Sequence, residues 1–412
     1  MSSLSQTFIR GKFADYYKQN YASILPPSSL EKREFGFLLL EKKVMLRHKS
    51  FKNVDSLRSS LCSIVPSDVY YSSAYYELPE EEMKAKGWLG ADLVFDIDAD
   101  HIKTPCITVH DLWVCIRCGA SGKGRHPLKC LTCDGTKFKE KPWPCEICLE
   151  ASKVEAIKLI DVLTDDFGFS LEVLTVAFSG HRGYHIHVES KSVRELDSSA
   201  RKEIVDYVMG IGLEAEFHGL GKSSSPTRRI AGPDLNDRGW RGRIAKGTYE
   251  FLQTDSKEKL MKSGLKSGHI KLLLNHKDAI LNSWNNNGPW GVVKRITPET
   301  WKMIAQHGLE KQSVKIDTVV TPDINRLIRL HNSLHGKTGL KKVEFSIADI
   351  DDFDPLKKAV AFNEGEVTVY VSEVPEFRVE DEIYGPFERQ KVELPTAAAL
   401  MLLCKGIAKV VK

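Results

Sequence analysis

Three C-x-x-C pairs between Cys115 and Cys148 constrain this chain more than any other feature. Cys115-x-x-Cys118 and Cys130-x-x-Cys133 stand 11 residues apart, the pattern of a zinc ribbon in which each knuckle supplies two thiolates to one tetrahedral site. Cys145 and Cys148 remain, with Cys106 and His110 as companions, and these four make a donor set for a second, Cys₃His site. The alternative is a single zinc with the remaining cysteines packed as free thiols. Seven of the nine cysteines lie between Cys106 and Cys148, a clustering that reads as metal ligation in a reducing compartment rather than as a disulfide framework. A closed four-ligand site is structural, so zinc is expected to hold a segment of about 103–149 in shape and to take no part in bond making.

At 412 residues and 42% hydrophobic content, the chain has material for two or three packed units with sizeable cores. The start, MSSLSQTFIRGKF, has no apolar signal core, and no apolar run reaches the roughly 18–20 residues that span a bilayer. The expectation is a cytoplasmic, nucleoid-associated protein with no membrane partner. A formal charge of +4 is too mild to announce a nucleic-acid binder, so the distribution of charge carries the argument.

Phe35–Leu40 and Val44–His48 read as a hairpin across Glu41-Lys42-Lys43. Asp92 to Asp98 reads as a strand with Leu93, Phe95 and Ile97 on one face and Asp92, Val94, Asp96 and Asp98 on the other. Residues 150–167 have the helical spacing of Val154, Ile157, Ile160 and Leu163. Val173–Phe178 and Gly183–Val188 follow as strands, then a helix over 194–211. The stretch 221–247, rich in Gly, Ser, Pro and Arg, reads as loop, and a helix-rich section continues to about 310. Strands around 343–347 and 367–371 and a helix over 396–410 close the chain.

Two short stretches carry chemistry. Asp96 and Asp98 project from one strand face, and hard divalent ions take one or two such carboxylates together with substrate phosphates. Taken alone, a D-x-D is more often the solvated face of an edge strand. Ser179-Gly-His-Arg-Gly-Tyr-His185 links two strands; its glycines suit a phosphate-cradling turn, Arg182 offers a fork of donors, and His185 stands on a rigid strand beside His187. The bland alternative is a hairpin turn with satisfied histidines.

Together, Asp92-Leu-Val-Phe-Asp-Ile-Asp-Ala-Asp100 and Ser179–His185 resemble the signature of the archaeal–eukaryotic DNA primase small (catalytic) subunit, in its Sulfolobus-like archaeal form. Lys315-Ile-Asp317 resembles the family's third carboxylate, and Arg326-Leu-Ile-Arg-Leu-His-Asn-Ser-Leu-His-Gly-Lys-Thr-Gly339 its nucleotide-binding stretch. Arg33-Glu-Phe and Val44–Phe51 resemble the block that contributes one more phosphate-binding arginine, Arg47. The motifs occur in the family's order and cover most of 30–190 and 312–345. His181 departs from it, standing where eukaryotic relatives carry Arg, and ranks below Arg182.

The resemblance implies an α/β (α+β) fold: an archaeo-eukaryotic primase catalytic core with an RRM-like sheet, a zinc-binding insertion and a helical insertion. On this division 1–102, 150–220 and 311–372 are core, 103–149 the zinc-binding insertion, 221–310 a basic loop and helical insertion, and 373–412 a C-terminal segment and helix. It further implies two Mg²⁺ or Mn²⁺ ions on Asp96, Asp98 and Asp317, and a nucleoside triphosphate bound by Arg47, Ser179, Arg182, His185, Arg329, His335 and Lys337. The implied activity is template-directed synthesis of short primers on single-stranded DNA, with a primase large subunit as heterodimer partner. The alternatives are a primase–polymerase of repair or tolerance type and a non-catalytic zinc-ribbon protein that binds nucleic acid. One segment bears on both: Lys222, Arg228, Arg229, Arg238, Arg241, Arg243 and Lys246 surround Trp240, a composition that suits single strands as well as a solvated loop.

Overall fold

The computed structural model describes residues 3–220, 232–254, 256–286 and 288–411. It is a mixed α/β structure that divides into two compact units. The first comprises 1–157, 170–202 and 316–412, and the second 158–169 and 203–315.

In the first unit, two four-stranded sheets position the candidate site. One has the strands Val343–Phe345, Leu174–Phe178, Gly183–Val188 and Leu93–Asp98 in that order, antiparallel at each pairing. Alternation explains the acidic strand: Leu93, Phe95 and Ile97 are fully buried, while Asp96 and Asp98 face the other way. This strand lies at an edge of the sheet, and the chain over 317–321 satisfies its free carbonyls. Asp317 N–H donates to the Asp96 carbonyl and the Thr321 hydroxyl to that of Val94, both at 2.8 Å. The other sheet runs Leu327–Arg329, Pro66–Ser72, Phe35–Leu39 and Met45–Lys49. The last two form the expected hairpin.

The cysteine-rich segment builds a three-stranded sheet, Ser121–Lys123, Leu112–Cys115 and Phe138–Lys141. The helix after it spans Glu146–Asp165. Val154 is exposed, and Ala156, Leu159, Ile160, Val162 and Leu163 are buried instead. Near the C-terminus the helix stops at Cys404, short of the expected 410, and the chain turns back as the strand Ala408–Val410. Gly406, with a φ of 68°, makes that reversal.

The second unit is helical. Its core gathers Trp240, Trp284, Trp290 and Trp301 with Ile244, Ile270, Ile280 and Ile304. The helices Gly239–Leu252 and Pro298–Gln312 meet at Gly247 and Gly308, where a Cβ on Gly247 would stand 2.1 Å from the Gly308 carbonyl oxygen; only glycine permits this approach.

The loop expected over 221–247 is corrected in part. From Gly239 onward it is helix. Trp240 turns inward and is buried, with its indole N–H on the Tyr207 carbonyl at 2.8 Å, while Lys246 stays exposed. Arg243 pairs with Asp166 at 2.6 Å, and Arg241 with Asp237 at 2.6 Å. Composition cannot distinguish an arginine spent on an internal carboxylate from one offered to a phosphate. Lys222, Arg228 and Arg229 lie outside the described residues.

Candidate active site

Asp96 and Asp98 line a cavity of about 190 Å³ together with Ser179, His181, His185, Arg326, Arg329, His335 and Lys337. The register of the sheet explains much of this: His185 is the cross-strand partner of Asp96, and Gly183 that of Asp98. His185 Nε2 lies 3.5 Å from an Asp96 oxygen. A Cβ on Gly183 would meet the Ile97 carbonyl oxygen at 2.1 Å, so glycine lets the turn lie flat against the acidic strand. Asp317 is tied to the backbone of Asp96 as above, and its carboxylate lies 3.8 Å from His101 Nε2.

Burial and neighbouring negative charge oppose the ionisation of Asp96 and Asp98. Asp96 is pushed up to about 7, first by burial and then by Asp98 and Asp317. Asp98 is also raised by burial, with the Arg182 guanidinium opposing. Among the described residues, the sets of three or more candidate ligands whose donor atoms lie within 4.8 Å of one another are cysteine-containing, and the three aspartates do not form such a set. The chemistry of the donors nonetheless suits a hard divalent cation.

The opposite wall is basic. Ser179 closes the turn by donating its N–H to the Gly183 carbonyl, and its hydroxyl accepts from His181 N–H. His181 stacks on His335, with ring centroids 5.2 Å apart and an interplanar angle of 17°. Burial holds His181, His185 and His335 well below the usual histidine range, so near neutral pH they are hydrogen-bonding groups rather than cations. Arg329 is held by Asp68 at 2.5 Å and lies against the Tyr70 ring, 5.1 Å from its centroid.

Two expected phosphate ligands, Arg47 and Arg182, are not among the residues that line this cavity. Arg47 makes a bidentate pair with the buried Glu34, at 2.9 and 3.2 Å. Arg182 is buried and faces Asp98, Asp100 and Asp111. Sequence reasoning singled out neither Asp68, Asp111 nor Lys405. Lys405 donates to the Pro142 carbonyl at 2.6 Å and reaches His181 at 3.3 Å; burial, with Arg182 and Lys337 nearby, lowers it to about 7. Arg326 was visible in its motif without a role, and it lines the cavity and opposes the upward shift of Asp96.

Residues 133–347 match the family model described as DNA primase small subunit. The DNA primase small subunit of Nitrosopumilus maritimus is 32% identical over 410 residues, covering all of both chains. Those of Methanothrix thermoacetophila and Archaeoglobus fulgidus are 35% and 33% identical, over 100% and 98% of this chain. The chain belongs to the DNA primase small subunit family.

Two sets among the described residues could hold a metal ion: Cys115, Cys118, Cys130, Cys133 and Cys106, His110, Cys145, Cys148. Zn–S bonds of about 2.3 Å put the sulfurs of a tetrahedral site about 3.8 Å apart. The observed separations fit: Cys115–Cys133 and Cys118–Cys130 are 3.6 Å and Cys106–Cys148 is 3.4 Å, with His110 Nε2 3.5 Å from Cys148 Sγ. Backbone N–H groups of Thr132 and Cys133 draw Cys130 down to about 6, towards the thiolate that binds metal. Either set can hold a zinc ion. No helix is long and apolar enough to cross a membrane among the described residues.

Proposed function

We propose that the carboxylate cavity is the polymerising centre of a DNA primase catalytic subunit, which builds primers de novo from nucleoside triphosphates on a single-stranded DNA template. The observation that carries this reading is the meeting of Asp96 and Asp98 with Ser179, His185, Arg329, His335 and Lys337 in one cavity. Phosphoryl transfer needs little beyond positioning and charge stabilisation, and this wall has donors for both. Asp96, Asp98 and Asp317 would hold two Mg²⁺ or Mn²⁺ ions. When bound, such ions lower the pKa of the attacking 3′-hydroxyl and neutralise the departing pyrophosphate.

On the phosphate side, Lys337 and Arg329 supply charge while Ser179, His185 and His335 supply oriented hydrogen bonds. Arg47 and Arg182 belong to the proposed triphosphate set too; like Arg329 with Asp68, their guanidinium groups meet carboxylates, and unlike Arg329 they do not line the cavity. Zinc in the 103–149 insertion is structural. A primase large subunit completes the enzyme as a heterodimer in the cytoplasm.

The test uses labelled nucleotides, single-stranded template and Mg²⁺ or Mn²⁺ with no primer, comparing the parent with Asp98→Asn in the presence of the large subunit. The parent makes template-dependent oligomers, and the variant loses about a thousandfold in rate, the equivalent of roughly 4 kcal/mol of barrier. Extension of an annealed primer without synthesis from its absence would favour the repair-type polymerase, and undiminished synthesis by Asp98→Asn would refute the carboxylate assignment.

A further inference from the structure

We infer that Asp111 is a positioning residue that ties the Cys106/His110/Cys145/Cys148 centre to the catalytic carboxylates, with Arg182 as the strut between them. The inference rests on the reading of Asp96, Asp98 and Asp317 as divalent-ion ligands.

One buried carboxylate serves both sides. Asp111 Oδ1 lies 2.7 Å from His110 Nδ1, and a histidine whose Nδ1 is engaged by a carboxylate presents Nε2 to a metal. The same oxygen accepts the Trp143 N–H at 2.9 Å. On the other side, Arg182 Nη1 meets both Asp111 oxygens at 3.0 Å. Arg182 then continues to the acidic strand: its Nε lies 3.6 Å from Asp98 Oδ1, and its Nη2 pairs with Asp100.

The backbone repeats the connection. The Ser152 hydroxyl lies 3.0 Å from both the Cys148 and the Arg182 carbonyls, so the helix that begins at the cysteine knuckle is pinned to the residue that faces Asp98. Arg182 is 2% exposed, and burial lowers it to about 10 with Asp98 opposing. One guanidinium among three carboxylates takes its place from the balance of all three. Without Asp111 it moves onto Asp98 and Asp100, where it competes with a divalent cation for Asp98.

The expected consequence is a coupling that a merely local role for Asp111 would not produce. Asp111→Ala, made in the full chain and assayed with zinc added to full occupancy, binds Mn²⁺ about tenfold more weakly than the parent by electron paramagnetic resonance titration, in the range typical of lost outer-shell partners. Asp111→Asn, which keeps an acceptor for Trp143, falls between them and serves if the alanine variant fails to fold. Adding Arg182→Gln to Asp111→Ala removes the competing cation and restores part of the affinity, so the two substitutions are non-additive. Chelator competition reads zinc retention separately.

Mn²⁺ affinity within twofold of the parent in both Asp111 variants overturns the inference, whatever becomes of the zinc. A parent chain that binds no Mn²⁺ overturns instead the reading of the carboxylates on which the inference stands.

Discussion

The two units are built from different interiors. The first buries Arg33, Glu34, Lys86, Asp92, Arg182, Arg201, Arg329 and Lys342. The second centres on tryptophans whose rings meet edge to face, with centroids of Trp284 and Trp290 at 5.7 Å and of Trp290 and Trp301 at 5.6 Å; its buried charge among the described residues is chiefly Arg243 with Asp166. A buried charge is tolerated only when paired and hydrogen-bonded. Arg33 shows how completely this is done: it meets Asp92 at 2.6 Å, the Ser73 carbonyl at 2.7 Å and the Tyr75 ring face at 3.6 Å. The helical unit is organised for packing, whereas the sheet unit holds charge in fixed places around a cluster of carboxylates that repel one another. Stability and chemistry pull apart in the sheet unit and not in the helical one.

Metal removal should produce the largest effect. Structural zinc contributes on the order of 10 kcal/mol to the fold it closes. Stripping both cysteine sets should therefore unfold 103–149, read as changed fluorescence of Trp113 and Trp143. An unchanged spectrum, with metal analysis showing complete removal, would mean that bound zinc is not what holds this segment in shape.

Next comes the aromatic core. Trp301 is fully buried, and Trp301→Ala should cost about 3–5 kcal/mol in chemical denaturation. A loss under 1 kcal/mol would mean that the tryptophan cluster is not what holds the helical unit.

The smallest effect has the opposite sign. Asp96 is raised to about 7, so between the ordinary carboxylate range and about pH 7 the unfolded chain ionises first and the folded state loses stability. Asp96→Asn removes that loss. Because the Asp96 side chain is 27% exposed, solvent screening reduces the gain to about 1–2 kcal/mol. The gain should be complete above about pH 7 and vanish near pH 3, in metal-free thermal melts of variant and parent. A variant less stable than the parent at pH 8 would show that the carboxylates are already compensated, and the contrast between the units would weaken.

Much of the site was legible because its signals are local. Two aspartates spaced two apart share a strand face whatever the sheet does with that strand, and C-x-x-C pairs bring their sulfurs together by knuckle geometry alone. The ordered motifs located Ser179, His185, Arg329, His335 and Lys337, and the structure brings all five to the cavity of Asp96 and Asp98. Asp317 could be nominated only by resemblance. It reaches Asp96 because the acidic strand lies at an edge and leaves a carbonyl for its N–H.

Other features had no signal along the chain. The approach of Gly247 to Gly308 joins glycines 61 positions apart in the sequence, and a lone glycine in a helical stretch does not announce its partner. The basic run beyond Gly239 suited a single-strand contact as well as a solvated loop because composition records charge without its counter-charge; Asp166, which pairs with Arg243, lies far upstream.

The sequence by itself therefore determined the types of donor and their local spacing: oxygen ligands on one strand, thiolates in pairs, histidines beside a glycine turn. Tertiary structure decided which cation serves which anion. It gave Arg47 to Glu34, Arg329 to Asp68, and Arg182 to Asp98, Asp100 and Asp111. The physical reason is that an ion pair depends on distance and desolvation in three dimensions, and neither is encoded in the spacing of residues along the chain.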